Sequence, residues 1–123
     1  MNPLVHPFFH ADSNTWSYLV HAPGDTVAAV IDPVLDFDPK SARTSTASAQ
    51  AIVDHVAAQG LQVQWLLETH AHADHLSAAH WLKQTHWPEA RIAIGKGIRT
   101  VQKTFRPIFN LGEHFPIDGS QFD

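Results

Sequence analysis

The run Thr69-His70-Ala71-His72-Ala73-Asp74-His75 constrains this chain more than any other feature. It puts three imidazoles and one carboxylate into six residues, from His70 to His75. The flanking residues say what carries it. Gln62 to Glu68 alternates, with Val63, Trp65 and Leu67 on one face, as a half-buried strand does. Ala78, Trp81, Leu82 and Thr85 lie on one helical face, and that helix ends before Pro88. The run is therefore a loop between a strand and a helix, the place where α/β layers usually hold ligands. His70 and His72, one residue apart, can aim at a common point if the loop turns tightly. Asp74 and His75 open the next helix and can face a second point close by, and Asp74 suits the helix N-cap position. Imidazole suits zinc and iron, and both accept a carboxylate.

The rest of the chain reads as the frame for this loop. Trp16 to Val20 and Val27 to Ile31 are strands, joined into a hairpin by the turn Pro23-Gly24-Asp25. Asp32-Pro33 ends the second of them. Residues 36 to 48 are polar and mixed, predicting a loop with a helix start inside it. Ala49, Ile52, Val53, Val56 and Ala57 then recur at helical spacing until Gly60 stops them. Ile92 to Ile94 is a short strand. Ile98, Val101, Gln102 and Phe105 form a further helical stripe, stopped by Pro107. The tail from Asn110 to Asp123 is irregular. Helices between strands predict a layered α/β (α+β) domain rather than a helical bundle.

Composition narrows the function classes. The 123 residues are 44% hydrophobic and include four Trp and seven Phe, enough for one packed domain. A formal charge of −4 argues against nucleic acid or an anionic membrane as partner. With no cysteine, disulfides, thiolate metal sites and a thiol nucleophile are excluded. The N-terminus lacks the basic and apolar regions of a secretory signal, and no apolar run reaches the ~20 residues of a membrane span. The expectation is a cytoplasmic protein. Lys83, Arg91, Lys96, Arg99, Lys103 and Arg106 fall in one stretch. They read first as a solvated helix face, and otherwise as a rim that attracts an anionic thiol substrate. His6, His10, His21, His55, His86 and His114 stand apart and read as ordinary surface or core residues. So does His80, one helical turn beyond the motif.

The motif Thr69–His75 resembles the THxHxDH signature of metallo-β-lactamase-fold proteins. Asp32-Pro33 resembles that superfamily's strand-ending Asp, which holds a metal ligand rather than the metal. The resemblance runs from about Trp16 to the end of the chain. Val30-Ile31-Asp32-Pro33-Val34-Leu35 and Glu68-Thr69-His70-Ala71-His72-Ala73-Asp74-His75 look closest to the persulfide dioxygenase and bacterial sulfur dioxygenase branch, and the stretches 36–46 and 94–98 are similar to the bacterial forms. Glyoxalase II, a thiolester hydrolase, shares the signature. The resemblance implies an αββα sandwich of two similar halves that both supply ligands, with residues 1–123 forming a partial domain, its N-terminal half.

In binuclear zinc members, positions matching His70 and His72 hold one metal and positions matching Asp74 and His75 the other. A later His, a bridging Asp and a final His complete that set. The persulfide dioxygenases hold one iron, and there the first His of the motif joins a later His and a later Asp. The leading expectation is a persulfide dioxygenase-like enzyme using Fe2+ and a glutathione-type substrate. The alternative is a Zn2+ thiolester hydrolase, in which Asp74 is both ligand and orienter of the attacking hydroxide. No residue after His75 matches the later ligands, and His114 lies in a Glu-His-Phe-Pro context rather than the family's Pro-Gly-His-Thr turn. The chain alone is therefore expected to be inactive. It is also expected to be a homo-oligomer or a non-catalytic association module, because half a sandwich leaves one sheet face bare at Val27, Ala29, Ile31, Trp65 and Leu67.

Overall fold

A computed structural model describes residues 2–72, 75–108, 110, 112, 113, 116–120, 122 and 123. In chain order the elements are β1 (Leu4–His10), β2 (Thr15–His21), β3 (Val27–Ile31), β4 (Val34–Asp38), β5 (Arg43–Ser45), α1 (Ala47–Ala58), β6 (Gln62–Glu68), β7 (Leu76–Ser77), α2 (Ala79–Thr85), β8 (Arg91–Ile94) and α3 (Ile98–Ile108). Five strands form one sheet in the order β1-β2-β3-β6-β8, and a small sheet has the order β5-β4-β7. The β1-β2-β3 part is antiparallel, whereas β6 joins β3, and β8 joins β6, in parallel. Parallel neighbours need a crossover, and α1 and α2 supply the two.

Leu19, Val30 and Leu66 of the sheet pack with Ile52 of α1 and Leu82 of α2 in one core cluster, each at most 1% exposed. The spacing of Ala49, Ile52 and Val56 explains the buried stripe of α1. That helix ends as expected at Gly60, whose φ of 64° suits glycine. Its start is held from outside. The Asp36 carboxylate of β4 accepts the Ser48 backbone N–H at 2.8 Å and the Ser48 hydroxyl at 2.7 Å.

The expected β2–β3 hairpin forms, with Asp25 Oδ1 accepting from the N–H groups of Thr26 and Val27. Four expectations fail in instructive ways. Leu4 to His10, for which periodicity suggested no element, is an edge strand paired along its length with β2. An edge position tolerates Pro7. The polar stretch 36–48 contains the expected helix start at Ala47, but the part before it is not a loop, because β4 and β5 make a hairpin in which Asp38 ties the Lys40 N–H and the Ser41 hydroxyl. The last helix runs past Pro107 to Ile108, since a proline in the final turn removes few hydrogen bonds. Val63 and Trp65 do not share a face. The register steps from Ala28↔Val63 to Ala29↔Trp65, a bulge that buries Val63 at 5% exposure and leaves Trp65 at 37%.

The face opposite the helices stays open among the described residues. Phe9 (52% exposed), Trp16 (48%), Val27 (37%) and Trp65 lie on it, with the Phe9 and Trp16 rings in tilted contact at 4.8 Å. Arg91 caps Trp65 at 5.2 Å from the ring centroid, a cation–π contact. No helix among the described residues is long and apolar enough to cross a membrane.

Candidate metal centre

Strand β6 ends at Glu68, and Asp32 directly follows the neighbouring strand β3 with φ at 53°. Few side chains adopt this left-handed backbone region, though Asp tolerates it better than most. The bonds around Asp32 over-determine the conformation. Its backbone N–H donates to the Leu67 carbonyl at 2.8 Å, and its own carbonyl accepts the Ser17 hydroxyl at 2.7 Å. The turn aims the carboxylate into the start of the motif loop. There Oδ1 accepts the Thr69 N–H at 2.8 Å and His72 Nε2–H at 2.9 Å, while Oδ2 accepts the Thr69 hydroxyl at 2.8 Å. Burial works to raise the Asp32 pKa, but the Thr69 and His72 hydrogen bonds outweigh it and hold the carboxyl below its usual value.

The loop then gathers its imidazoles. The His70 and His72 rings are 4.1 Å apart, and the His72 and His75 rings also 4.1 Å. In each ring one nitrogen is engaged by the protein. The Thr69 hydroxyl gives its proton to Asp32, so it accepts from His70 Nδ1–H at 2.8 Å, and Nε2 of His70 is the unprotonated nitrogen. His72 donates through Nε2, so its unprotonated nitrogen is Nδ1. Thr15 Oγ1 donates to the Ser13 carbonyl at 3.3 Å, so it accepts from His75 Nδ1–H at 3.2 Å, and Nε2 of His75 is the unprotonated nitrogen. A neutral imidazole with its N–H tied to an oxygen is the arrangement that metal-binding histidines adopt. The donor set therefore suits a divalent transition metal. Asp74 lies outside the described residues, as does His114.

Residues that periodicity did not single out complete the surroundings. Glu68 is buried behind His72, with Oε2 3.3 Å from His72 Nε2, and Oε1 accepts the Ser77 hydroxyl. Burial pushes the Glu68 carboxyl up, the Ser77 hydroxyl opposes, and the neighbouring Asp32 charge adds to the rise, leaving its pKa at about 7. Asp32, Glu68 and His72 place one donor atom each within 4.8 Å of the others, a grouping that metals also use. The Asp32 oxygens are already occupied by Thr69 and His72, so we read this group as the anchor of His72. On the other side, Thr15 continues into a network. Ser13 Oγ lies 2.9 Å from Thr15 Oγ1 and 2.6 Å from His10 Nδ1, and His10 Nε2 donates to Asp36 Oδ1 at 3.0 Å. His75 is thereby connected, through the β1–β2 turn, to the carboxylate that starts α1. No spacing rule links residues 10, 13, 15, 36 and 75, so sequence reasoning had no signal for this network.

Two cavities flank the three rings. One, of about 630 Å³, is lined by His70, His80, Ile94, Ile98 and Phe122, and the other, of about 600 Å³, by His10, Phe37 and Lys40. His72 and His75 line both. None of the six clustered basic residues lines either cavity. Lys83 pairs with Asp123 at 2.9 Å and Arg91 covers Trp65, so these two are committed elsewhere.

A family model for the metallo-β-lactamase superfamily matches residues 11–111, most of the chain. The chain belongs to the metallo-β-lactamase superfamily. The fold of this superfamily implies a divalent metal. A probable metallo-hydrolase of Burkholderia pseudomallei (strain 1710b) is 53% identical over 119 residues, 97% of this chain and 40% of that protein. A protein of Dictyostelium discoideum named glyoxylase B2 is 50% identical over 95 residues, 77% of this chain and 32% of that one. The crystal structure of ETHE1 from Myxococcus xanthus superposes with a TM-score of 0.58 at 26% identity, covering 72% of this chain and 34% of that one. The mixed α/β architecture is thus that of part of a metallo-β-lactamase fold, and the chain spans less than half the length of each of these proteins.

Proposed function

We propose that the protein carrying this chain is a metal-dependent oxygenase of the persulfide dioxygenase type, oxidising a glutathione-type persulfide with O2 at one Fe2+. The observation that carries the reading is the set of three adjoining imidazoles whose second nitrogens are tied to Thr69, Asp32 and Thr15. The likeness of Val30–Leu35 and Glu68–His75 to that branch supports it, as does the structural likeness to ETHE1. In this scheme His70 is a ligand, and the metal, when bound, offers open positions to substrate sulfur and O2. His72 and His75, with Asp74 beside them, keep the loop in its binding shape. Asp32 fixes His72, and Thr69 fixes His70. Ile94, Ile98 and Phe122 give the larger cavity an apolar side against which such a substrate would lie.

A second reading, a Zn2+ thiolester hydrolase, is favoured by two observations. One is the 50% identity to glyoxylase B2. The other is the tether on His75, which prepares that ring as a ligand as well. There His70 and His72 serve one zinc, Asp74 and His75 the other, and the metals lower the pKa of bound water toward ~7. Metal content and turnover of the purified full-length protein decide. The first reading expects about one iron per chain and O2 consumption with glutathione persulfide. Two zincs, no O2 uptake and cleavage of a glutathione thiolester overturn it.

A further inference from the structure

Three histidines far from the motif in sequence also meet in space. His6 belongs to β1, His21 to β2 and His55 to α1. Nε2 of His6 lies 3.1 Å from Nε2 of His21, and the two rings stack at 5.3 Å. The His55 ring sits 4.6 Å from that of His6, with its edge toward Phe8 at 5.7 Å.

Three further observations favour a cation there. First, His21 Nδ1–H donates to the Ala22 carbonyl at 3.2 Å, which assigns Nε2 of His21 as the unprotonated nitrogen facing His6. Second, His6 Nε2–H donates to that nitrogen at 3.1 Å, and a cation taking the place of this proton needs little rearrangement, because two nitrogens on a tetrahedral ion with metal–nitrogen bonds of about 2.05 Å lie about 3.3 Å apart. Third, Nε2 of His55 is buried and has no hydrogen-bond partner among the described residues, a costly state for an imidazole nitrogen. Burial, and then the neighbouring His55 and His21, hold His6 below its ordinary pKa, so the cluster favours the neutral form that binds metal.

The geometry points to an accessory site for a divalent transition cation, Zn2+, Ni2+ or Cu2+, held by His6, His21 and His55 and distinct from the site on the motif loop. An all-imidazole donor set is the kind these ions accept. The three rings do not yet bring all donor nitrogens within the 4.8 Å spread that closes the Asp32–Glu68–His72 group. Binding therefore draws His55 toward the other two by rotation of its side chain. His6 and His21 form the pre-arranged half of the site. Such an ion would tie α1 to the β1–β2 pair, adding to the backbone ladder of the two strands a link to the helix that packs on them. Its effect is to stabilise the native state by mass action.

The test uses the full-length protein with its motif-loop metal already bound, titrated with Zn2+ and separately with Ni2+. One further ion per chain is expected. The ring nitrogen resonances of His6, His21 and His55 should all move, and the melting temperature should rise with added Zn2+. His21→Gln should weaken this binding by more than the ~10-fold that loss of a ligand's outer partner costs, and the thermal gain should disappear. Turnover and motif-loop metal content should stay unchanged in that variant. The absence of any ion beyond the motif-loop complement overturns the inference, as does an extra ion held equally well by the His6→Gln/His21→Gln double variant. Unmoved His55 resonances in the saturated wild type overturn the three-ligand site, and this readout needs no variant to fold.

Discussion

The chain holds two clusters of three histidines, and they are built in opposite ways. His70, His72 and His75 come from one short loop, and oxygen atoms of Thr69, Asp32 and Thr15 hold the back of each ring. His6, His21 and His55 come from three elements and touch mainly each other, with one carbonyl behind His21. The first cluster is organised before any metal arrives, whereas the second must move His55 to close. Outer hydrogen bonds, more than the number of imidazoles, separate a site for chemistry from a site that only binds.

The comparison breaks at once if the two clusters respond alike to the same change. In the full-length protein His70→Ala should abolish turnover, because His70 is a ligand in either metal scheme, whereas His21→Ala should leave it unchanged. Steady-state assays of both variants check this, and wild-type activity in His70→Ala would remove the motif-loop assignment. Asp32→Ala comes next. It unties His72 and Thr69 together, so metal affinity should fall by about 10–100-fold, read by competition with a chelator. Loss of a buried acceptor from Thr69 also costs about 1–3 kcal/mol of stability.

A smaller effect sharpens the account of His75. Thr15→Val keeps the shape but removes the hydroxyl, and should lower metal affinity by about 10-fold. Thr15→Ser should restore it. Equal losses in both variants would mean that Thr15 acts by packing alone.

The smallest expected effect lies at Asp36, the far end of the Thr15 network. Burial raises its pKa, but the hydrogen bonds from Ser48 and His10 more than offset this and hold it below the ordinary carboxylate value. A carboxylate with a depressed folded pKa contributes stability above its unfolded pKa and loses it as pH falls through the folded value. Asp36→Asn should therefore cost about 1 kcal/mol at neutral pH. The wild-type advantage should shrink below about pH 4, as thermal melts across that range would show. An advantage that persists at low pH would place the role of Asp36 in shape rather than charge.

Legibility followed sequence distance. The loop between β6 and α2, the β2–β3 hairpin and the buried stripe of α1 depend on neighbours a few residues apart, so periodicity and turn residues identify them. A resemblance was needed to single out Asp32, since nothing local shows that a residue 37 positions before Thr69 will accept its N–H. The Val63–Trp65 bulge escaped because alternation assumes an unbroken register, and the β3 partner that breaks it lies more than 30 residues earlier. Strand β1 escaped for a related reason, since its pattern is broken by Pro7 and its stability comes from pairing with β2.

By itself the sequence determined which side chains could serve a metal, where the strand leading into their loop ends, and to which superfamily pattern they conform. It misplaced the loop's far end, since the helix does not open at Asp74 and His75: β7 (Leu76–Ser77) pairs with β4 there, and α2 starts at Ala79 behind Ala78. Tertiary structure alone decided which nitrogen of each imidazole is tied, that Glu68 lies buried behind His72, and that Thr15 reaches His75. It also brought His6, His21 and His55 together. The reason is physical. Donor identity and local spacing are properties of the chain, but a tautomer, a burial or a shared cation site depends on atoms supplied by other elements. Those meet only when the sheet closes on its helices.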